Sequence, residues 1–149
     1  MKAELTAFEH DGQTIFYLIE GDRKAPLVTL VNGYVRSHTD FRILSKNLVR
    51  NGYRVLSLDN RGSGLSVASG SFGIKEMALD IAALWDELEV TETMLLGISM
   101  GGIISQFLAA FDSRIAKLVL VSTTGSKEYI PLEKFTFSEN YDQVWEKML

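Results

Sequence analysis

The chain has 149 residues, 46% of them hydrophobic, with a net charge of −4 at pH 7. This suits one domain with a substantial core, while the acidic balance disfavours nucleic acid and anionic membranes, both of which select basic surfaces. Cysteine is absent, so disulfides, thiolate metal sites and a cysteine nucleophile are excluded. The only histidines, His10 and His38, are too far apart in sequence to suggest a ligand pair, and neither a metal nor another cofactor is expected.

The opening MKAELTAFEHDG holds no long apolar segment of the signal-peptide kind, and no apolar run approaches the length of a membrane span. A cytoplasmic location is the expectation. Residues 3–9 and 13–20 alternate as strands and are joined through His10-Asp11-Gly12, a hairpin turn that would leave His10 at the surface. After Pro26, PLVTLV reads as a strand buried on both faces. From Ser37 to Arg50 the spacing of Phe41, Leu44 and Leu48 predicts a helix, with Asn51-Gly52 as its stop.

A strand over 53–58 leads into the loop DNRGSGLS. Ile74, Met77, Ala78, Ile81, Leu84, Trp85 and Leu88 then keep to one helical face. A strand over 93–97 runs into LLGISMGG, and the next helix carries Ile103, Ile104, Phe107, Leu108 and Phe111. Residues 116–121 read as another buried-type strand, ending in Ser122-Thr123-Thr124, and the tail from Phe137 has an amphipathic pattern through Tyr141, Val144, Trp145 and Met148. Strands alternating with helices imply an α/β protein with a mostly parallel sheet of about six strands flanked by helices. The only candidate boundary lies past 125, dividing a core (1–125) from a cap or helical tail (126–149).

In such sheets ligands bind at the carboxyl ends of the strands. Four loops lie there: NGYVRS, DNRGSGLS, GISMGG and STTGS. In GISMGG, a serine on a sharp strand-to-helix turn needs neighbours without side chains, and Gly97 and Gly101 stand two residues away on either side. Ser99 would then project from the sheet edge, with the helix N-terminus beneath it to favour an oxyanion. A phosphate-binding turn fits less well, because neither Gly-x-Gly-x-x-Gly nor the lysine of a P-loop is present.

With three of these loops in view, the chain resembles the N-terminal half of an α/β-hydrolase over roughly residues 5–125. Asn32-Gly33-Tyr34 stands where the family usually has His-Gly-x, Asp59 to Ser66 resembles D-x-R-G-x-G-x-S, and Gly97 to Gly101 matches the nucleophile elbow. The resemblance implies a Ser99 nucleophile and an oxyanion hole formed by the N–H groups of Tyr34 and Met100. Asn32 replaces a side chain that normally braces the loop, which leaves the shape of the hole in question. Asp59 reads either as a triad acid or as part of a tight turn; the resemblance favours the turn, with Arg61 holding nearby carbonyls.

The family order of Ser, acid, His requires a base after Ser99, and residues 100–149 contain no histidine. The alternative acid position, Ser122-Thr123-Thr124, has no carboxylate. The expectation is therefore a fold truncated before its last strands. Its base and acid would come from a C-terminal half, or the chain would self-associate through an open strand edge.

Two classes of function remain at this point. One is a serine hydrolase acting on the ester, thioester or amide carbonyl of a small molecule, with the apolar tail suggesting an apolar acyl group. The other is a catalytically inactive domain that binds a ligand or partner. His38, a solvated helix-start residue on this reading, is a minor candidate for the base.

Overall fold

The computed structural model describes residues 4–125. The expected tail helix and cap over 126–149 lie outside the described residues. Strands β1 (Leu5–His10) and β2 (Gln13–Glu20) form an antiparallel hairpin. His10 is the last residue of β1 and pairs with Gln13, rather than lying in the turn as expected. Asp11 and Gly12 alone make the reversal, both at positive φ (50° and 67°), as the two-residue turns that match strand twist require.

Strand β3 (Leu27–Val31) is buried throughout. A 3₁₀ turn (His38–Phe41) runs into helix α1 (Arg42–Arg50), which is followed by β4 (Arg54–Leu58). Helix α2 (Ile74–Glu87), β5 (Thr93–Ile98), α3 (Met100–Ala109) and β6 (Ile115–Val121) complete the described chain. The sheet order is β1-β2-β4-β3-β5-β6. The β3–β4, β3–β5 and β5–β6 pairs are parallel, whereas β2 runs antiparallel to β4.

The sheet has a helical layer on each face. Leu27, Val31, Leu56, Leu58 and Leu95 pack with Ile81, Leu84 and Trp85 of α2 and with Ile104 and Leu108 of α3. Val28, Leu30 and Val55 point the other way, against Phe41 and the Leu44–Leu48 stripe of α1. Alternate residues of β3 therefore serve both layers, as its uninterrupted apolar run requires. The Trp85 indole N–H donates to Thr29 Oγ1 (3.1 Å), itself 2.9 Å from Thr93 Oγ1, so the polar groups beneath α2 are paired.

Strand β6, an apolar run of the buried type, forms the sheet edge among the described residues, where an open strand edge is expected, and its Val119 and Val121 are exposed. Helix α3 also ends before Phe111, which is half-exposed. Among the described residues no helix is long and apolar enough to cross a membrane.

A buried ion cluster ties the hairpin to α2. Arg61 donates from Nε and Nη2 to the two carboxylate oxygens of Asp80 (2.8 and 2.7 Å) and from Nη1 to Asp11 (3.2 Å). Hydrogen bonding to Asp80 raises the already high pKa of the guanidinium. His10 Nδ1 lies 2.7 Å from the same carboxylate. The sequence reading had Arg61 holding carbonyls and His10 at the surface; both instead serve Asp80, because a carboxylate only 2% exposed needs cationic or N–H partners. Arg61→Ala is expected to lower unfolding stability in urea by about 3–5 kcal/mol, and Arg61→Met with Asp80→Leu to recover about half of that loss.

Candidate active site

The parallel ladder sets Val31 of β3 opposite Gly97 of β5. The chain leaves β3 toward β4 on one side, while β5 lies on the other, so the loops after β3 and β5 diverge from neighbouring strand ends. A crevice forms at such a point. Ser99 sits there as the N-cap of α3, with φ 54° and ψ −122°. A serine at positive φ is strained, and the surroundings hold it in place. Its N–H donates to Val121 O (3.0 Å), and its carbonyl accepts from Gly102 N–H (2.9 Å) and the Thr123 hydroxyl (2.6 Å).

The elbow glycines are required by close approach. A Cβ on Gly101 would run into the carbonyl oxygens of Val31 and Asn32, and one on Gly97 into Gly101 O and the Ser105 hydroxyl. Gly33 lies against the serine from the other loop, where an added Cβ would stand 3.3 Å from Ser99 Cβ. Ser99 opens into a cavity of about 450 Å³ lined by Asn32, Gly33, Tyr34, Arg36, Phe41 and Ile98, with Asp40 at its edge paired to Arg36 (2.6 Å).

Two backbone donors flank this position. Met100 opens α3, so its N–H has no intrahelical acceptor. The Tyr34 N–H likewise donates to no acceptor among the described residues. Tyr34 stands in a turn closed by Arg36 N–H to Gly33 O (3.3 Å), with Val35 at φ 51°. Unpaired N–H groups beside a hydroxyl can stabilise the negative oxygen that forms when that hydroxyl attacks a carbonyl.

The loop carrying Tyr34 is braced from β4. Asn60 Nδ2 donates to Asn32 O (2.9 Å), and Asn32 Nδ2 donates to Ser37 O. Asn32 is therefore itself a brace, which corrects the expectation that its substitution removes one. Its short amide spans the two ends of the loop. Asp59 is fully buried. Its Oδ1 accepts the backbone N–H of His38 (2.6 Å) and lies 2.8 Å from His38 Nδ1, while its Oδ2 accepts Leu65 N–H (2.9 Å). These bonds match the turn reading of Asp59.

His38 is not solvated as expected; its side chain is only 14% exposed because the imidazole follows its backbone onto Asp59. No hydrogen bond joins His38 to Ser99, and His38 does not line the cavity. Sequence reasoning does not single out Asn60, whose only signal is a polar residue two positions after the buried strand β4.

The parallel crossovers, the strained serine between β5 and α3, and the glycines at its flanks together define an α/β protein with a sharp strand-to-helix turn at Ser99. The model for the alpha/beta hydrolase fold matches residues 26–149, and the chain belongs to that family. It is 35% identical over 95 residues to the sn-1-specific diacylglycerol lipase ABHD11 of Mus musculus, covering 63% of this chain and 31% of that protein. It is 34% identical over 120 residues to the non-heme chloroperoxidase of Streptomyces lividans, covering 78% and 44%. A hydrolase structure from Pseudomonas aeruginosa PA01 superposes with a TM-score of 0.75 at 33% identity, covering 83% of this chain and 46% of that one. The chain thus spans about a third to a half of the length of the curated relatives it matches.

Gly101→Ala is expected to lower stability by about 2 kcal/mol or more, since the added methyl meets backbone that cannot rotate away. Urea unfolding followed by the fluorescence of buried Trp85 measures it.

Proposed function

We propose that this chain carries the nucleophile portion of a serine hydrolase acting on the ester, thioester or amide carbonyl of a small molecule. The observation that carries the reading is Ser99, held at φ 54° on the first turn of α3 beside two unpaired backbone N–H groups. In this reading Ser99 Oγ attacks the carbonyl carbon, the C=O π pair moves onto oxygen, and the N–H groups of Tyr34 and Met100 receive that oxyanion. Gly97 and Gly101 let the elbow pack. Relatives named as a diacylglycerol lipase and a bifunctional esterase/perhydrolase support ester chemistry, and the partly apolar cavity beside Ser99 suits an acyl group.

The serine proton needs a base. No histidine follows Ser99, and His38 is committed to Asp59. We therefore assign the base and its acid to sequence beyond these 149 residues or to a second chain, and place the protein in the cytoplasm.

An elbow and oxyanion hole keep part of their effect without the base. An alkyl fluorophosphonate is thus expected to add one phosphonyl group to the native chain, seen as an intact-mass shift. Ser99→Ala and the urea-unfolded chain should take none. A native chain that stays unmodified overturns the reading.

The exposed Val119 and Val121 on β6 favour a second reading, in which the domain is catalytically inactive and self-associates through this edge. Light scattering together with hydrogen exchange distinguishes the two. A dimer with residues 115–121 protected and no phosphonylation supports self-association, and a phosphonylated monomer excludes it.

A further inference from the structure

The loop of residues 32–38 is held at both ends by two consecutive residues of a neighbouring strand end. Asn60 fixes Asn32 through its carbonyl, and Asp59 fixes His38 through its backbone and its imidazole. Between these clamps the loop is poorly supported. Tyr34 and Val35 are 72% and 65% exposed, and Val35, a β-branched residue, holds φ 51°. Such a conformation persists only where its surroundings over-determine it. The segment that carries the Tyr34 N–H would relax if a clamp were released.

We infer that the His38–Asp59 pair is the positioning device of the oxyanion loop, aiming the Tyr34 N–H at Ser99 through the backbone rather than moving a proton itself. The inference rests on the reading of Ser99 as a nucleophile and assigns the pair a part in that same site. Three observations carry it. Asp59 is fully buried and its oxygens are occupied by N–H donors from two loops, so it is a fixed anchor. Asp59 Oδ1 lies 2.8 Å from His38 Nδ1 and also accepts the His38 backbone N–H, so ring and backbone are held at one carboxylate oxygen. The cavity around Ser99 is lined by the loop His38 ends, not by His38 itself.

A proton-transferring imidazole and a positioning one respond differently to asparagine. The asparagine amide nitrogen can donate to Asp59 as Nδ1 does, but it cannot act as a base. Fluorophosphonate labelling of the 149-residue chain is followed at several probe concentrations for the wild type, His38→Ala and His38→Asn, with circular dichroism to check folding. His38→Ala should lower the limiting rate about 10- to 100-fold with the half-saturating concentration unchanged, because a misplaced donor weakens only the transition state. His38→Asn should stay within about twofold of wild type. Hydrogen exchange should quicken over residues 33–37 in the alanine variant only.

An unchanged labelling rate in His38→Ala, or unchanged exchange in the loop, overturns the inference while the Ser99 reading stands. Equal losses in the alanine and asparagine variants overturn it in favour of proton transfer. A wild-type chain that takes no label fails the Ser99 reading itself, and the catalytic sense of the pair falls with it.

Discussion

The first turn of α3 lies on the carbonyls that end β3, at a separation that admits no Cβ on Gly101. This contact governs the site. It brings the first turn of α3, with its unpaired Met100 N–H, against the end of β3, from which the loop carrying the unpaired Tyr34 N–H departs. The parallel register of Val31 with Gly97 sets the height at which they meet. Spreading the two strand ends by the width of one methyl would move the donors apart. The strained dihedral of Ser99 is tolerated because bonds from Val121, Gly102 and Thr123 fix it from three directions.

Two buried carboxylates organise the loops around this contact in different ways. Asp80 faces a guanidinium and an imidazole and joins the β1–β2 hairpin and the β4 loop to α2. Asp59 faces backbone N–H groups as well as an imidazole, and joins the loops after β3 and β4 to each other. The first is an ion cluster whose loss would leave a charge stranded. The second acts on the geometry of a few backbone donors near Ser99. The loop DNRGSGLS serves both carboxylates: Asp59 and Asn60 bond the loop after β3, and Arg61 bonds Asp80 of α2.

Periodicity of 2 or 3.6 residues revealed the hairpin strands and the helices, whereas β3 and β6 were legible as continuous apolar runs and the 3₁₀ turn merged with the helix predicted from Ser37. The strand-to-helix turn at Ser99 was legible because strand, small residues and helix are contiguous in sequence. What stayed hidden depended on partners distant in sequence. His38 looked like a solvated helix start because nothing near it announces Asp59 as its partner. Arg61 and His10 could not be matched to Asp80, since a single polar residue on α2 carries no sign of facing inward. Asn32 looked like the loss of a brace because its contact to Ser37 O depends on a turn shape that residue types alone do not specify. The edge position of β6 was legible in the chain order, but the exposure of Val119 and Val121 was not, because an apolar run reads the same whether or not a neighbour covers it.

The pairing of Val31 with Gly97 also bears on how the site comes into being. Between those residues the chain carries α1, β4 and α2, so β3 and β5 are partners distant in sequence. No short segment can therefore rehearse the crevice, and the Ser99 dihedral has no local support until α3 settles on β3. Contacts so remote along the chain form late and slowly. The backbone setting of Ser99 therefore belongs to the completed sheet and not to any local segment of the chain.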